Sequence, residues 1–148
     1  MVINISANSI GRKYNISLFG ESHGSGIGVL ISGCPSGIPF KKDSIQYELN
    51  RRRPGQSNIS TPRNEADEFE ILSGIYNNQT TGAPICLFIR NTDTRSKDYD
   101  KHRNLPRPSQ VDYPALLRFG EAVDLRGSGM FSGRITAGIV MAGVIAGL

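Results

Sequence analysis

Tyr14-Asn-Ile-Ser-Leu-Phe-Gly-Glu-Ser-His-Gly-Ser-Gly-Ile-Gly-Val-Leu-Ile31 is the stretch that decides how the rest of the chain is read. From Tyr14 to Phe19 apolar and polar side chains alternate, the period of a half-buried strand, and Ile27 to Ile31 is an apolar run preceded by glycine, the pattern of a second strand. Between them Gly20 to Gly26 forms a turn that leaves Ser22 and His23 flanked by glycines, where a backbone can approach a ligand closely. An imidazole with an ordinary pKa of about 6.5 is suited to exchanging protons near neutrality. A surface histidine in a turn accounts for His23 equally well. Glycine at 24, 26 and 28 has neither the Rossmann spacing nor the Lys-Ser/Thr of a phosphate loop, so it is weak evidence for nucleotide binding.

Outward from this hairpin, Ser32 to Pro39 is turn chemistry. Asp43 or Ser44 is placed to cap a helix toward Arg53, with Ile45 and Leu49 on one face and Pro54-Gly55 as its stop. Arg51, Arg52 and Arg53 then fall in the last turn, where the helix dipole favours cations by about 0.3 to 1 kcal/mol. They project in different directions, so at most one or two meet the same anion. Residues 56–67 predict a long loop. Phe69 to Ile75 and Ile85 to Ile89 predict strands, separated by turns at Asn77-Asn78 and Thr80-Thr81-Gly82. Asn91 to Pro114 reads as an extended excursion and Tyr113 to Ala122 as helical. Ser132 to Leu148, small and apolar throughout, reads as a helix packed on all sides, and its uncapped apolar end predicts further chain to pack against. No repeat or linker divides residues 1–148, which form a single expected domain.

The composition excludes several classes. With 148 residues, 38% hydrophobic and 20% charged, the chain is an ordinary globular protein and not a disordered one. The net charge is +4, and twelve of the 17 basic residues are arginine. Arginine's planar fork suits phosphate and carboxylate, so a multiply charged anion is the natural partner. The basic clusters lack interleaved aromatics or a nucleic-acid-binding motif, which argues against nucleic acid. Cys34 and Cys86 have no metal-ligand spacing, fit a reducing cytoplasm and read as core residues. No metal site is expected. Neither a secretory signal nor a membrane span is expected, the apolar tail from Ile135 being fourteen residues, short of the roughly twenty a bilayer needs.

The order of motifs resembles the chorismate synthase family. Phe19-Gly-Glu-Ser-His-Gly, continuing through Gly33-Cys-Pro-Ser-Gly-Ile-Pro39, is similar to the family's first signature. The likeness runs on through Arg51-Arg-Arg-Pro-Gly-Gln-Ser57, Leu72-Ser-Gly74, Thr80-Thr-Gly-Ala-Pro84 and Asn91-Thr-Asp-Thr-Arg-Ser-Lys-Asp-Tyr99. Gly129 to Ile145, with Ser132-Gly-Arg134 near its start, resembles the second signature. The resemblance implies an α+β fold, the family's β-α-β sandwich, incomplete at the carboxyl end, in a cytoplasmic homotetramer. It implies a lyase that removes phosphate and a ring hydrogen from 5-enolpyruvylshikimate 3-phosphate to give chorismate, using reduced FMN, with NADPH as a reductant such chemistry admits. Transferred by position, His23 is the proton donor to flavin, Ser22, Arg52 and Arg134 bind substrate, and Arg52 and Ser132 contact the cofactor.

Departures from the family pattern fall where chemistry is expected. The family's second catalytic histidine lies in Arg-Pro-Gly-His-Ala-Asp-Tyr, whereas this chain has Arg107-Pro-Ser-Gln-Val-Asp-Tyr113. Gln110 hydrogen-bonds but does not exchange protons near neutrality. Met130-Phe131 replaces an Arg-Ser pair, Asn58 stands where many relatives have arginine, and Ser32 replaces an acidic or amide residue. A charge-assisted hydrogen bond contributes about 1.5 to 3 kcal/mol, so these losses bear on ligand affinity. The alternative is a non-catalytic relative, an anion-binding or subunit-interaction module.

Overall fold

The computed structural model describes residues 8–53, 66–92, 99 and 105–148. The opening hairpin forms as read: β2 (Asn15–Gly20) and β3 (Gly26–Ser32) pair antiparallel, with Ile16 opposite Ile31 and Leu18 opposite Val29. A short strand not foreseen in the sequence, β1 (Ser9–Gly11), pairs with β2. Helix α1 (Lys42–Arg52) follows, then β4 (Phe69–Ser73), the two-residue strands β5 (Ile75–Tyr76) and β6 (Gln79–Thr80), and β7 (Ile85–Arg90). Five strands form one antiparallel sheet in the order β1-β2-β3-β7-β4, and β5 with β6 forms a separate small hairpin. Helices α2 (Asp112–Phe119) and α3 (Thr136–Ala146) complete the chain, joined through short 3-10 turns.

One face of the sheet carries the core. Ile27, Val29 and Ile31 of β3 and Ile85, Leu87 and Ile89 of β7 are at most 1% exposed, alternating with outward-facing residues as a pleated strand requires. Over them lie α1, through Ile45 and Leu49, and α3, through Ala137, Met141, Ala142 and Ile145. The Tyr14 hydroxyl donates to the Ala142 carbonyl at 2.7 Å, tying the start of the hairpin to α3. Burial and, secondarily, Cys34 push its pKa up to about 12. On the outer face Phe19 and Phe88 stack with centroids 6.2 Å apart. Their rings cover Gly28 and Gly26, where an added Cβ would meet Phe19 at 2.4 Å and Phe88 at 2.3 Å.

Several expectations need correction. Neither Asp43 nor Ser44 caps α1: the cap position is Lys41, without a side-chain bond, and Asp43 lies in the first turn. The strand read as Phe69 to Ile75 stops at Ser73, because Gly74 (φ 87°) turns the chain into the β5–β6 hairpin. Of the excursion read over Asn91 to Pro114, residues 93–98 and 100–104 lie outside the described residues, and Pro114 lies inside α2, where a proline in the first turn removes only an N–H the helix leaves unused. Helix α3 is not packed on all sides, since Ile139 is 48% exposed. Cys34 is buried, but Cys86 is half-buried on the outer face. Burial pushes both thiols above their ordinary pKa. The run Arg126–Ala146 is long and apolar enough to cross a membrane by length and composition. It is interrupted at residues 127–129 by left-handed backbone, and the helix that follows buries one face against the sheet. The readings for Pro54-Gly55, Asn58 and most of the 56–67 loop, and the amino-terminal segment through Ala7, lie outside the described residues.

Candidate functional site

The register of the sheet assembles one polar junction. Gly26 pairs with Arg90, so Asn91 falls opposite Ser25 and its N–H donates to the Ser25 carbonyl at 3.1 Å. Phe69 pairs with Ile89, which brings Asp67 to the same end of the sheet. That end is where the 21–25 turn emerges, where the last turn of α1 presents Arg52, and where the 3-10 turn Gly133–Ile135 presents Arg134.

Asp67 is the centre of the junction. Its side chain is fully buried and accepts from two guanidinium groups: Arg52 Nη1 at 2.7 Å on Oδ2, and Arg134 Nη1 on Oδ1. Arg134 Nε donates to Asn91 Oδ1 at 3.2 Å. The Asn91 Nδ2 group donates to the Glu21 and Gly24 carbonyls, both at 2.9 Å. Arg52, Arg134 and the loop bearing Ser22 and His23 therefore belong to one hydrogen-bonded network, although Ser22 and Arg134 lie 112 residues apart in the sequence. Arg51 is exposed and pairs with Glu48 at 2.8 Å.

A second wall is built from residues 127–129. Gly127, Ser128 and Gly129 have φ of 55°, 67° and 52°, a run of left-handed backbone that disfavours side chains. The Gly129 carbonyl accepts from the Ser22 N–H at 3.1 Å. Gly127 faces His23 so closely that a Cβ there would lie 2.4 Å from Nδ1 and Cε1 of the imidazole and 3.0 Å from Ser22 Oγ. The imidazole also meets the Tyr99 ring edge-on at 4.8 Å, and the Arg107 guanidinium lies over that ring at 5.3 Å. Ser22 is 2% exposed and His23 half-buried.

Arg107 is held by a second buried carboxylate. Asp112, 0% exposed, accepts from Arg107 Nε and Nη2, both at 2.8 Å, and from its backbone N–H at 3.1 Å. The hydrogen bond to Asp112 raises the Arg107 pKa above the usual arginine value, so it stays charged. Asp124 is held below the usual carboxylate range, first by the Arg126 hydrogen bond and in smaller part by the nearby His23. Glu21, Phe119, Ala122, Val123, Asp124 and Met130 line an adjoining cleft of about 240 Å³.

Of the residues named from the sequence, Ser22, His23, Arg52 and Arg134 come together. Ser132 lies beside them, its hydroxyl accepting from the Arg134 N–H at 3.3 Å as the cap of the 3-10 turn. Gln110 is exposed, and its N–H bonds only the Arg107 carbonyl at 3.3 Å among the backbone contacts described. Met130 turns its sulfur toward Asn8, and Phe131 packs on Phe119. Sequence reasoning missed Asp67, Asn91, Asp112 and Gly127. Among the described residues no cluster of three or more His, Cys, Asp or Glu is arranged for a metal.

Fold and site together define a class: an α+β domain that gathers arginines and a glycine-walled imidazole at one end of an antiparallel sheet. The sequence profile described as chorismate synthase matches residues 14–148. The chorismate synthase of Methanocaldococcus jannaschii is 48% identical over 139 residues, covering 94% of this chain and 36% of the relative. That of Dehalococcoides mccartyi is 49% identical over 140 residues, 95% of this chain and 38% of the relative. A chorismate synthase crystal structure superposes with a TM-score of 0.62 at 31% identity, over 90% of this chain and 33% of that one. The chain belongs to the chorismate synthase family and has its fold. It spans well under half the length of these curated relatives.

Proposed function

We propose that this chain provides the anion-receiving and proton-donating part of a chorismate synthase site, acting on 5-enolpyruvylshikimate 3-phosphate. The observation that carries this reading is the shared Asp67 carboxylate, which holds Arg52 and Arg134 together beside the loop bearing Ser22 and His23. In the elimination the carbon–oxygen bond to phosphate breaks and a ring hydrogen is lost. Arg52 and Arg134 are the groups to bind the substrate's phosphate or carboxylates, where preorganised cations stabilise charge as it develops. The Ser22 hydroxyl donates a hydrogen bond to substrate, and the His23 imidazole at the glycine wall is the proton donor.

Reduced FMN fits this donor set at its phosphate end. Arg52 and the Ser132 hydroxyl are the residues to hold it, with His23 as the proton source, whereas the neighbouring cleft bears Glu21 and Asp124 and suits a dianion poorly. When bound, the reduced flavin supplies electron density transiently while phosphate departs, with NADPH as a candidate reductant. We place the protein in the cytoplasm, assembling with copies of itself as a tetramer.

A second reading, a non-catalytic anion-binding or subunit-interaction module, draws support from Gln110, exposed where the family has its second histidine, and from Met130 and Phe131, which supply neither charge nor hydroxyl. The test is chorismate formation from 5-enolpyruvylshikimate 3-phosphate with reduced FMN, for this chain alone and joined to the remaining length of the M. jannaschii relative. Product from the joined protein, dependent on His23, is the expected result. A folded joined protein that binds FMN but yields no chorismate overturns the enzymatic reading in favour of the module.

A further inference from the structure

We infer that Asp67 and Asn91 are positioning residues for anion recognition: Asp67 sets the spacing of the Arg52 and Arg134 guanidinium groups, and Asn91 sets their distance from the His23 loop. This rests on the proposed function of the same site and assigns it two residues whose described hydrogen bonds run to other groups of the protein.

The physical reasoning starts from side-chain freedom. Arg52 ends a helix and Arg134 is the middle residue of a 3-10 turn, and each has four rotatable bonds before its guanidinium. Without a fixed partner, ordering both would cost binding energy each time an anion arrived. A carboxylate has two oxygens at a rigid separation, and here each oxygen accepts one arginine. Asp67 itself cannot drift: its side chain is fully buried, its φ is 52°, and its carbonyl accepts from Gln46 of α1 at 3.4 Å. A left-handed backbone at a residue with a side chain is uncommon and is tolerated best by Asp and Asn. Asn91 then fixes the second distance. Its carboxamide is oriented by function on both ends, Oδ1 accepting from Arg134 and Nδ2 donating to two carbonyls of the loop.

Charge and position predict opposite signs for one substitution. Removing a carboxylate beside an anion site strengthens anion binding by simple electrostatics. If Asp67 positions the arginines, its removal weakens binding instead. Asp67→Asn keeps the volume and suits the left-handed backbone, and Asn91→Ala acts on the network from the other side without touching Asp67. Glu70→Gln, at an exposed carboxylate paired with Arg90 on the outer side of the sheet, is the charge control.

The experiment is calorimetric titration of the full chain and these variants with inorganic pyrophosphate. In parallel, phenylglyoxal modification of individual arginines is followed by peptide mass spectrometry, with exposed Arg51 as internal reference. We expect Asp67→Asn to weaken pyrophosphate binding about tenfold, the loss of roughly one charge-assisted contact, and Asn91→Ala to weaken it by a smaller factor. Glu70→Gln should leave it within about twofold. Modification of Arg52 and Arg134 should accelerate several-fold in Asp67→Asn while Arg51 is unchanged. Unaltered or tighter pyrophosphate binding in Asp67→Asn, with folding confirmed by circular dichroism, overturns the inference; if that variant does not fold, an Asn91→Ala protein that binds like wild type overturns it. If wild type binds no pyrophosphate, the functional reading fails, and unchanged labelling of Arg134 in Asn91→Ala separately rejects the positioning role.

Discussion

Asp67 and Asp112, the buried carboxylates among the described residues, differ in reach. Asp112 holds Arg107, five residues away, with both oxygens and a backbone N–H, so the contact belongs to one short segment at the start of α2. Asp67 holds Arg52 and Arg134, fifteen and 67 residues away, one on each oxygen. That pair is short in sequence, although Arg107 Nη2 also donates to the Leu125 carbonyl at 3.3 Å and to Ser128 Oγ at 3.4 Å. A shared long-range carboxylate joins α1, β4 and the entry to α3, and its loss is felt in all of them.

Replacing each in turn sharpens the contrast. Asp67→Ala takes the shared carboxylate from two largely buried guanidinium groups and should lower stability by about 3 to 5 kcal/mol, read from urea unfolding. Asp112→Asn should cost about 1.5 to 3 kcal/mol, with faster amide exchange confined to residues near α2 and the 125–128 turn that Arg107 also reaches. Accelerated exchange in β3 and α1 as well would show that Asp112 is not a local clamp. Gly127→Ala comes next, at about 1 to 2 kcal/mol for a left-handed alanine. It should also displace the His23 imidazole, visible as a change in its NMR resonances, whereas unchanged resonances would mean the two do not touch.

The smallest effects belong to groups outside both networks. Tyr14→Phe removes one hydrogen bond, about 0.5 to 1.5 kcal/mol. Because the native hydroxyl titrates near 12 and an unfolded one near 10, unfolding releases a proton between those values. Stability should therefore be unaffected by this group below about pH 10 and fall as pH rises toward 12, a fall that Tyr14→Phe lacks. Asp124 acts in the acid range: its lowered pKa contributes stability above the unfolded carboxylate value of about 3.9, lost as pH falls through the folded one. With Arg126 44% exposed, Asp124→Asn should shift the acid midpoint only slightly.

How much the sequence disclosed follows the same division. Alternation in β2, the apolar run of β3 and the Ile45–Leu49 spacing of α1 are periodic signals, and all three elements form close to where they were read. The β5–β6 hairpin has two residues per strand, too few to show a period. Helix α3 looked buried on every side because Ile139 is apolar, yet that residue faces outward. His23, Ser22, Arg52 and Arg134 stood out by residue type and by family likeness. Asp67 did not, because an acidic residue in a polar stretch gives no sign of partners that only the sheet register brings near. Asp112 is more legible: an arginine five residues before an aspartate at a helix start is a local pattern.

The carboxamide of Asn91 has a direction, hydrogen-donating toward two carbonyls and accepting from a guanidinium. Slow hydrolysis of that amide during storage would leave a negatively charged oxygen against carbonyl oxygens and eject the loop it fastens. An aged preparation would then keep its length and nearly all its mass while losing the anchorage of its imidazole.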